Sequence, residues 1–256
     1  MSQIELQASS MSQFKFVLIA LFVLGFVPSS IANTVPKEIE FVTPDQEFLD
    51  KHIAVCNSIL SGKPAFQQYV HILTKKMRRG FQYRGVPDHD GETIWQHVQM
   101  VAKASKILAQ RRGLDIQKMT FIAIVHDLAE AIANDYIPAD NIPKQMKHQE
   151  EWMAINIIID RIRLDDPVFA EKVFEAWKDY EFKRTHEARL VKQLDKMDAA
   201  IRASIAEKQG YQDLQEFYVT PFEHLEDPLL IEHLQEFIQF RHAIDDPYEW
   251  HLVNLK

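Results

Sequence analysis

The run Phe121-Ile122-Ala123-Ile124-Val125 is apolar on every side of a helix, and it leads straight into His126-Asp127. A helix without a polar face has to be surrounded by other elements. The chain therefore needs a core thick enough to enclose this segment. The polar pair at its end is carried inside as well, where an imidazole and a carboxylate need partners. His97 precedes the pair and Asp195 follows it, each inside a helical pattern. Two imidazoles and two carboxylates suit one divalent cation among Mn²⁺, Co²⁺, Fe²⁺, Ni²⁺ and Mg²⁺, with Zn²⁺ also admissible. The plainer alternative is a histidine hydrogen-bonded within a helical core, and spacing alone leaves both readings open.

The rest of the pattern is helical. Apolar residues recur at helical spacing in 47–60, 66–77, 92–112, from 115 or 117 to about 133, 144–162, onward from Asp165-Asp166-Pro167, and in 187–208. Residues 78–90 read as irregular, and 134–143 as a loop with two prolines. A last set of apolar residues follows, from Leu214 to Phe237. Alternating strand patterns, repeats and low-complexity tracts are missing. The expectation is an all-α bundle in a single domain over 34–256.

The 256 residues carry a formal net charge of -8. That balance disfavours nonspecific binding to a nucleic acid polymer, which demands basic surface. It leaves room for a small phosphorylated substrate in a locally basic pocket, and the segment KKMRRGFQYR supplies one with Lys75, Lys76, Arg78, Arg79 and Arg84. Lys144 follows Ile142-Pro143, where it either approaches a phosphate or starts the next helix. Cys56 is the one cysteine, which excludes an internal disulfide and a cysteine-based zinc site; its apolar neighbours suggest a buried thiol.

Residues 1–33 differ from the rest. Lys15, the apolar run FVLIALFVLGFV and small residues near Ala32 form the pattern of a secretory signal peptide. Cleavage near Asn33 implies a periplasmic or secreted protein. An uncleaved segment implies a membrane anchor, and a cytoplasmic chain is the remaining alternative.

Three motifs together carry a resemblance. Trp95-Gln96-His97, the HDLAE of 126–130 and the VKQLDK of 191–196 resemble the HD-domain superfamily of metal-dependent phosphohydrolases, and its 5'-deoxynucleotidase branch in particular. The similarity runs from about residue 66 to about residue 219 and takes in the loop and helix of 134–151. It implies an HD-domain bundle with one metal in its helical core, held by His97, His126, Asp127 and Asp195. It implies a nucleoside 5'-monophosphate substrate and a homodimer. Glu130, four residues after His126 and three after Asp127, matches the glutamate that orients the attacking water. Asp135 matches a loop acid on the sugar side; capping a turn is the alternative. Arg78 matches the arginine that meets the phosphate. Phe81 stands where a tryptophan is often found and is expected to stack on a sugar or base. Asn134 replaces a frequent glycine, which implies a different local backbone; Gln96 replaces a frequent acid and the loop from Gly85 to Gly91 looks distinct, which puts substrate range in question and leaves the metal set intact. Asp198 is a candidate for supporting a ligand, and Lys192 or Lys196 for orienting Asp195.

Overall fold

A computed structural model describes residues 63–256. The expected 47–60 helix, Cys56 and the signal-like segment lie outside those residues. Helix α1, Ala65–Leu73, is shorter than its apolar pattern suggests. It stops because the chain is then recruited into an antiparallel bridge: Ile94 N–H donates to Lys76 O at 2.8 Å and Arg78 N–H to Glu92 O at 3.0 Å, around the pair Met77 and Thr93. Among the described residues this bridge is the one β pairing, and there is no sheet. The stretch expected to be irregular contains a short helix α2, Arg79–Tyr83.

Thr93 then starts α3, Ile94–Arg112, with a capping box. Its hydroxyl accepts from Gln96 N–H, and Gln96 Oε1 accepts from Thr93 N–H. Gln96 thus works as a cap where an acid was expected. Gly113, at φ 65°, ends α3 in the left-handed region that glycine tolerates. Asp115 caps α4, Ile116–Val125, which returns antiparallel along α3.

Helix α4 ends at Val125, eight residues before the expected limit near Ala133. His126 Nδ1–H donates to Ala123 O at 2.7 Å, and after Asp127 the chain tightens into a 3₁₀ turn, Leu128–Ala131. Glu130 N–H closes it onto Asp127 O at 3.0 Å. The loop of 134–143 holds a second 3₁₀ turn, Pro138–Asp140. Helices α5, Lys144–Arg163, and α6, Pro167–Glu181, pack against each other through Trp152, Phe174 and Trp177. Helix α7, His186–Lys208, packs across α3, α4 and α6. The chain closes with α8, Glu216–Val219, α9, Pro228–Phe240, and α10, Pro247–Asn254. The result is the all-α bundle the periodicities point to. Among the described residues no helix is long and apolar enough to cross a membrane.

Candidate metal centre

His97 occupies a core position of α3, in line with Val101 and Leu108 on the buried stripe, and has no exposed surface. The break after α4 delivers His126 and Asp127. Helix α7 delivers Asp195 from its buried face. His97, His126 and Asp195 bring donor atoms within 4.8 Å of one another, and Asp127 lies beside the two histidines. His97 Nε2 lies 3.3 Å from His126 Nε2, 3.2 Å from Asp195 Oδ1 and 3.5 Å from Asp127 Oδ2. His126 Nε2 lies 3.3 Å from the same Asp127 oxygen. Ligand atoms bound at about 2.0–2.2 Å to one ion lie roughly 3.0–3.5 Å apart, so the spacing fits a single cation.

The hydrogen-bond partners of the two rings set the chemistry of the donor set. His97 Nδ1–H is committed to Asp198 Oδ2 at 2.6 Å and His126 Nδ1–H to Ala123 O. Each ring therefore turns a lone pair toward the centre through Nε2. With both rings neutral, two lone pairs and two carboxylates would converge here. Burial and Arg78 disfavour a charged His97, yet Asp198 and Asp195 lift its pKa to about 10. The acids thus demand a positive charge at this point, and a divalent cation supplies it in place of the proton. The clustered His and Asp side chains form one divalent-metal site in the helical core.

Supporting groups orient the ligands. Asp195 Oδ2 accepts from Tyr180 Oη at 2.6 Å and from Lys196 Nζ at 2.8 Å, which leaves Oδ1 toward the centre. Burial opposes ionisation of Asp195, but Lys196 and His97 hold it well below the usual carboxylate range. Behind His97 lie the buried acids Asp198 and Glu92. Arg78 NH1 donates to Glu92 Oε1 at 3.0 Å and stands 3.7 Å from Asp198 Oδ2. The same nitrogen is 3.1 Å from His97 Nδ1, whose proton goes to Asp198, so the two donors share that carboxylate.

The site opens into a cavity of about 520 Å³. Arg78, Phe81, Glu130, Asp135 and Lys144 all line it, together with His126, Asp127 and Asp195. His97 is behind the wall. Burial pushes the Glu130 carboxyl up, with Asp127 and Asp135 adding to it. Asp135 Oδ2 accepts from Arg79 N–H at 2.9 Å, so it ties down the start of α2 and faces the cavity at once. Phe81 is 2% exposed and stacks on Phe217 at 4.4 Å, so one of its faces is already covered. Lys144 is the exposed first residue of α5.

Sequence reasoning passed over several neighbours of the site. Tyr180 sits among the apolar residues of α6, and its buried hydroxyl finds its partner in Asp195. Lys147 and Glu151, an i,i+4 pair 3.5 Å apart, line the cavity; burial works against charge on Lys147, but Glu151 and Glu130 keep it cationic. That pairing pattern was legible. Glu92 and Tyr248 had no sequence signal. Arg84 pairs with Glu216 at 2.8 Å and His148 with Glu181 at 2.6 Å, and all four line the cavity.

Comparison with known proteins agrees with this geometry. A family model described as an HD domain matches residues 70–237. The 5'-deoxynucleotidase HDDC2 of Mus musculus is 31% identical over 187 residues, covering 72% of this chain and 90% of its own length. The human HDDC2 is 31% identical over 173 residues, covering 67% and 82%. A conserved hypothetical protein from Pyrococcus furiosus has a solved structure that superposes with a TM-score of 0.52 at 27% identity, over 70% of this chain and 98% of its own. The chain belongs to the HD-domain superfamily of metal-dependent phosphohydrolases, in the family that includes HDDC2.

Proposed function

We propose that the chain hydrolyses nucleoside 5'-monophosphates, deoxyribonucleotides among them, to nucleoside and phosphate. The observation that carries the reading is the four-donor cluster opening into a cavity where an arginine and a buried-edge carboxylate flank it. The names of the relatives supply the substrate class. A divalent cation held by His97, His126, Asp127 and Asp195 would supply Lewis acidity to water and to the phosphoryl group.

The chain's own residues do the rest. Glu130, made more basic by burial beside two acids, orients the attacking water and takes its proton. Arg78 keeps its charge, since Glu92 and Asp198 outweigh the penalty of burial, and it compensates the phosphoryl oxygens. Lys144 and Lys147 add positive charge on the α5 side of the cavity. Asp135 meets the sugar side, and the free edge of Phe81 lies against the nucleoside. The water attacks phosphorus, the P–O5' bond breaks, and the leaving oxygen takes up the proton that Glu130 removed from the water.

The test is phosphate release by metal-stripped protein resupplied with Mn²⁺ or Co²⁺, on paired ribo- and deoxyribonucleoside 5'-monophosphates. Release should need metal and should fall by about 10²–10⁴ in Glu130→Gln with metal binding retained. Turnover of cyclic nucleotides or triphosphates alone would assign a different HD phosphohydrolase reaction; metal binding with no turnover of any nucleotide would leave a binding module. Homodimerisation is proposed on the resemblance, with sedimentation as its check. Export or anchoring through residues 1–33 is proposed on their pattern, and fractionation of cells decides it.

A further inference from the structure

The family match ends at residue 237, and the chain goes on to form α10. A terminal helix frays unless it is tied down, and this one is held on several sides. Asp246 caps it through Glu249 N–H at 2.9 Å, with Pro247 in its first turn. Trp250 packs on His233 and Phe237, with ring centroids at 5.1 Å and 5.6 Å. The imidazole of His251 meets that of His233 at 2.9 Å. Arg111 and Arg112 of α3 donate to the carbonyls of Val253, Leu255 and Lys256. Helix α10 thereby docks on α7 and α3, the two helices that carry Asp195, Asp198 and His97.

This anchoring presents Tyr248 to the acids behind the metal site. Its hydroxyl donates to Glu92 Oε2 at 3.3 Å. The other oxygen of Glu92 accepts from Arg78 NH1. Glu92 is buried and faces Arg78, Asp198, His97 and Arg202. The contacts of Arg78 to Glu92, His97 and Asp198 all run through NH1, and the residue lines the cavity. A carboxylate held at both oxygens keeps its plane; one held at a single oxygen pivots, and the guanidinium pivots with it.

We infer that Tyr248, from the helix beyond the family match, is a positioning residue for Arg78: by fixing Glu92 it aims the guanidinium at the phosphate of the bound nucleotide. The phosphate rests on the proposed function, and the link between Tyr248 and Arg78 on the two hydrogen bonds to Glu92. It assigns the C-terminal segment a part in substrate binding.

The test compares wild type, Tyr248→Phe, Arg78→Lys and the double variant as full-length, metal-loaded proteins, by calorimetric titration with inorganic phosphate. Phenylalanine keeps the ring packing and removes only the hydroxyl. Tyr248→Phe should bind phosphate about tenfold more weakly, the size of one hydrogen bond to a charged group. The double variant should bind no more weakly than Arg78→Lys alone, because the hydroxyl acts through that guanidinium. A second readout needs no ligand: in ¹⁵N-labelled protein the Arg78 side-chain N–H protons should exchange faster with water in Tyr248→Phe. Unchanged affinity and exchange, or losses that multiply in the double variant, would overturn the inference. If wild type binds no phosphate, the proposed function fails, and the exchange rates still decide whether Tyr248 holds Arg78 through Glu92.

Discussion

Asp198 never reaches the cavity, yet it decides which nitrogen of His97 carries the proton. At 2.6 Å it takes Nδ1–H and leaves Nε2 as a lone pair. Such partners of a metal-binding histidine matter about 10–100-fold in metal affinity. Asp198→Ala should therefore weaken Mn²⁺ binding by that factor in a competition titration while leaving one site per chain. Tyr180→Phe should cost less, because Lys196 still holds the outer oxygen of Asp195. Equal losses in the two variants would contradict the assignment of Asp198 as the group that sets the tautomer. At this level the sequence was readable wherever chemistry is carried by residue type in a motif, as for His97, His126, Asp127 and Asp195. It was unreadable where a role depends on which side chain lies across a gap in space, as for Glu92 and Tyr248, 156 positions apart.

Helix limits show the same division between local signals and tertiary ones. The start of α3 is written in the sequence as Thr93 with Gln96, and the starts of α6, α9 and α10 as Asp-Pro at 166–167, 227–228 and 246–247. The last of these signals was there to be read, and α10 follows from it. The end of α4 was not legible, because propensity favours continuing through Leu128-Ala129-Glu130-Ala131. What ends it is tertiary: Lys76, from the segment after α1, donates its ammonium to the carbonyls of Glu130, at 2.7 Å, and Ala133. Lys76→Met should leave those carbonyls short of a donor and destabilise the fold by about 1–3 kcal/mol. Because the turn carries Glu130, kcat should fall further than the loss of stability explains, measured well below the melting temperature. A loss of stability with unchanged kcat would show that the turn holds its shape without the lysine. Thr93→Ala, by contrast, should remove about 1 kcal/mol through the cap alone, and thermal melting reads it.

The whole bundle should be stabilised from two distant places. Metal binding only to the folded chain raises its stability by RT ln(1 + [M]/Kd), about 2.7 kcal/mol at one hundred times Kd, so chelation should lower the melting temperature and re-addition of metal restore it. The second place is the buried pair His233 and His251. His233 Nδ1–H donates to Asn254 O at 3.2 Å, which leaves its Nε2 to accept from His251 Nδ1–H, so both rings are neutral. Burial holds His233 down at about 4 and His251 at about 3. Their unfolded values lie near ~6.5, so as pH drops below that the unfolded chain binds protons first. The stabilisation is complete above about pH 6.5 and is lost toward pH 4, at about 1.4 kcal/mol per pH unit for each histidine. With the metal site filled, so that His97 takes no part, the denaturant midpoint should be lower at pH 5 than at pH 7.5. The drop should shrink in His233→Gln, and an equal drop in that variant would place the acid sensitivity elsewhere. The bridge between 76–78 and 92–94 has a consequence of another kind. Arg78 and His97 sit on either side of it, and backbone hydrogen bonds that ignore side-chain identity set the spacing between them. Of the residues looped out between, Tyr83 and Arg84 line the cavity, while Val86 is buried in the core and Asp90 is tied to Arg202 and Tyr211. The cavity wall can therefore change at Tyr83 and Arg84 alone, while the rest of the loop and the bridge keep Arg78 and His97 in register.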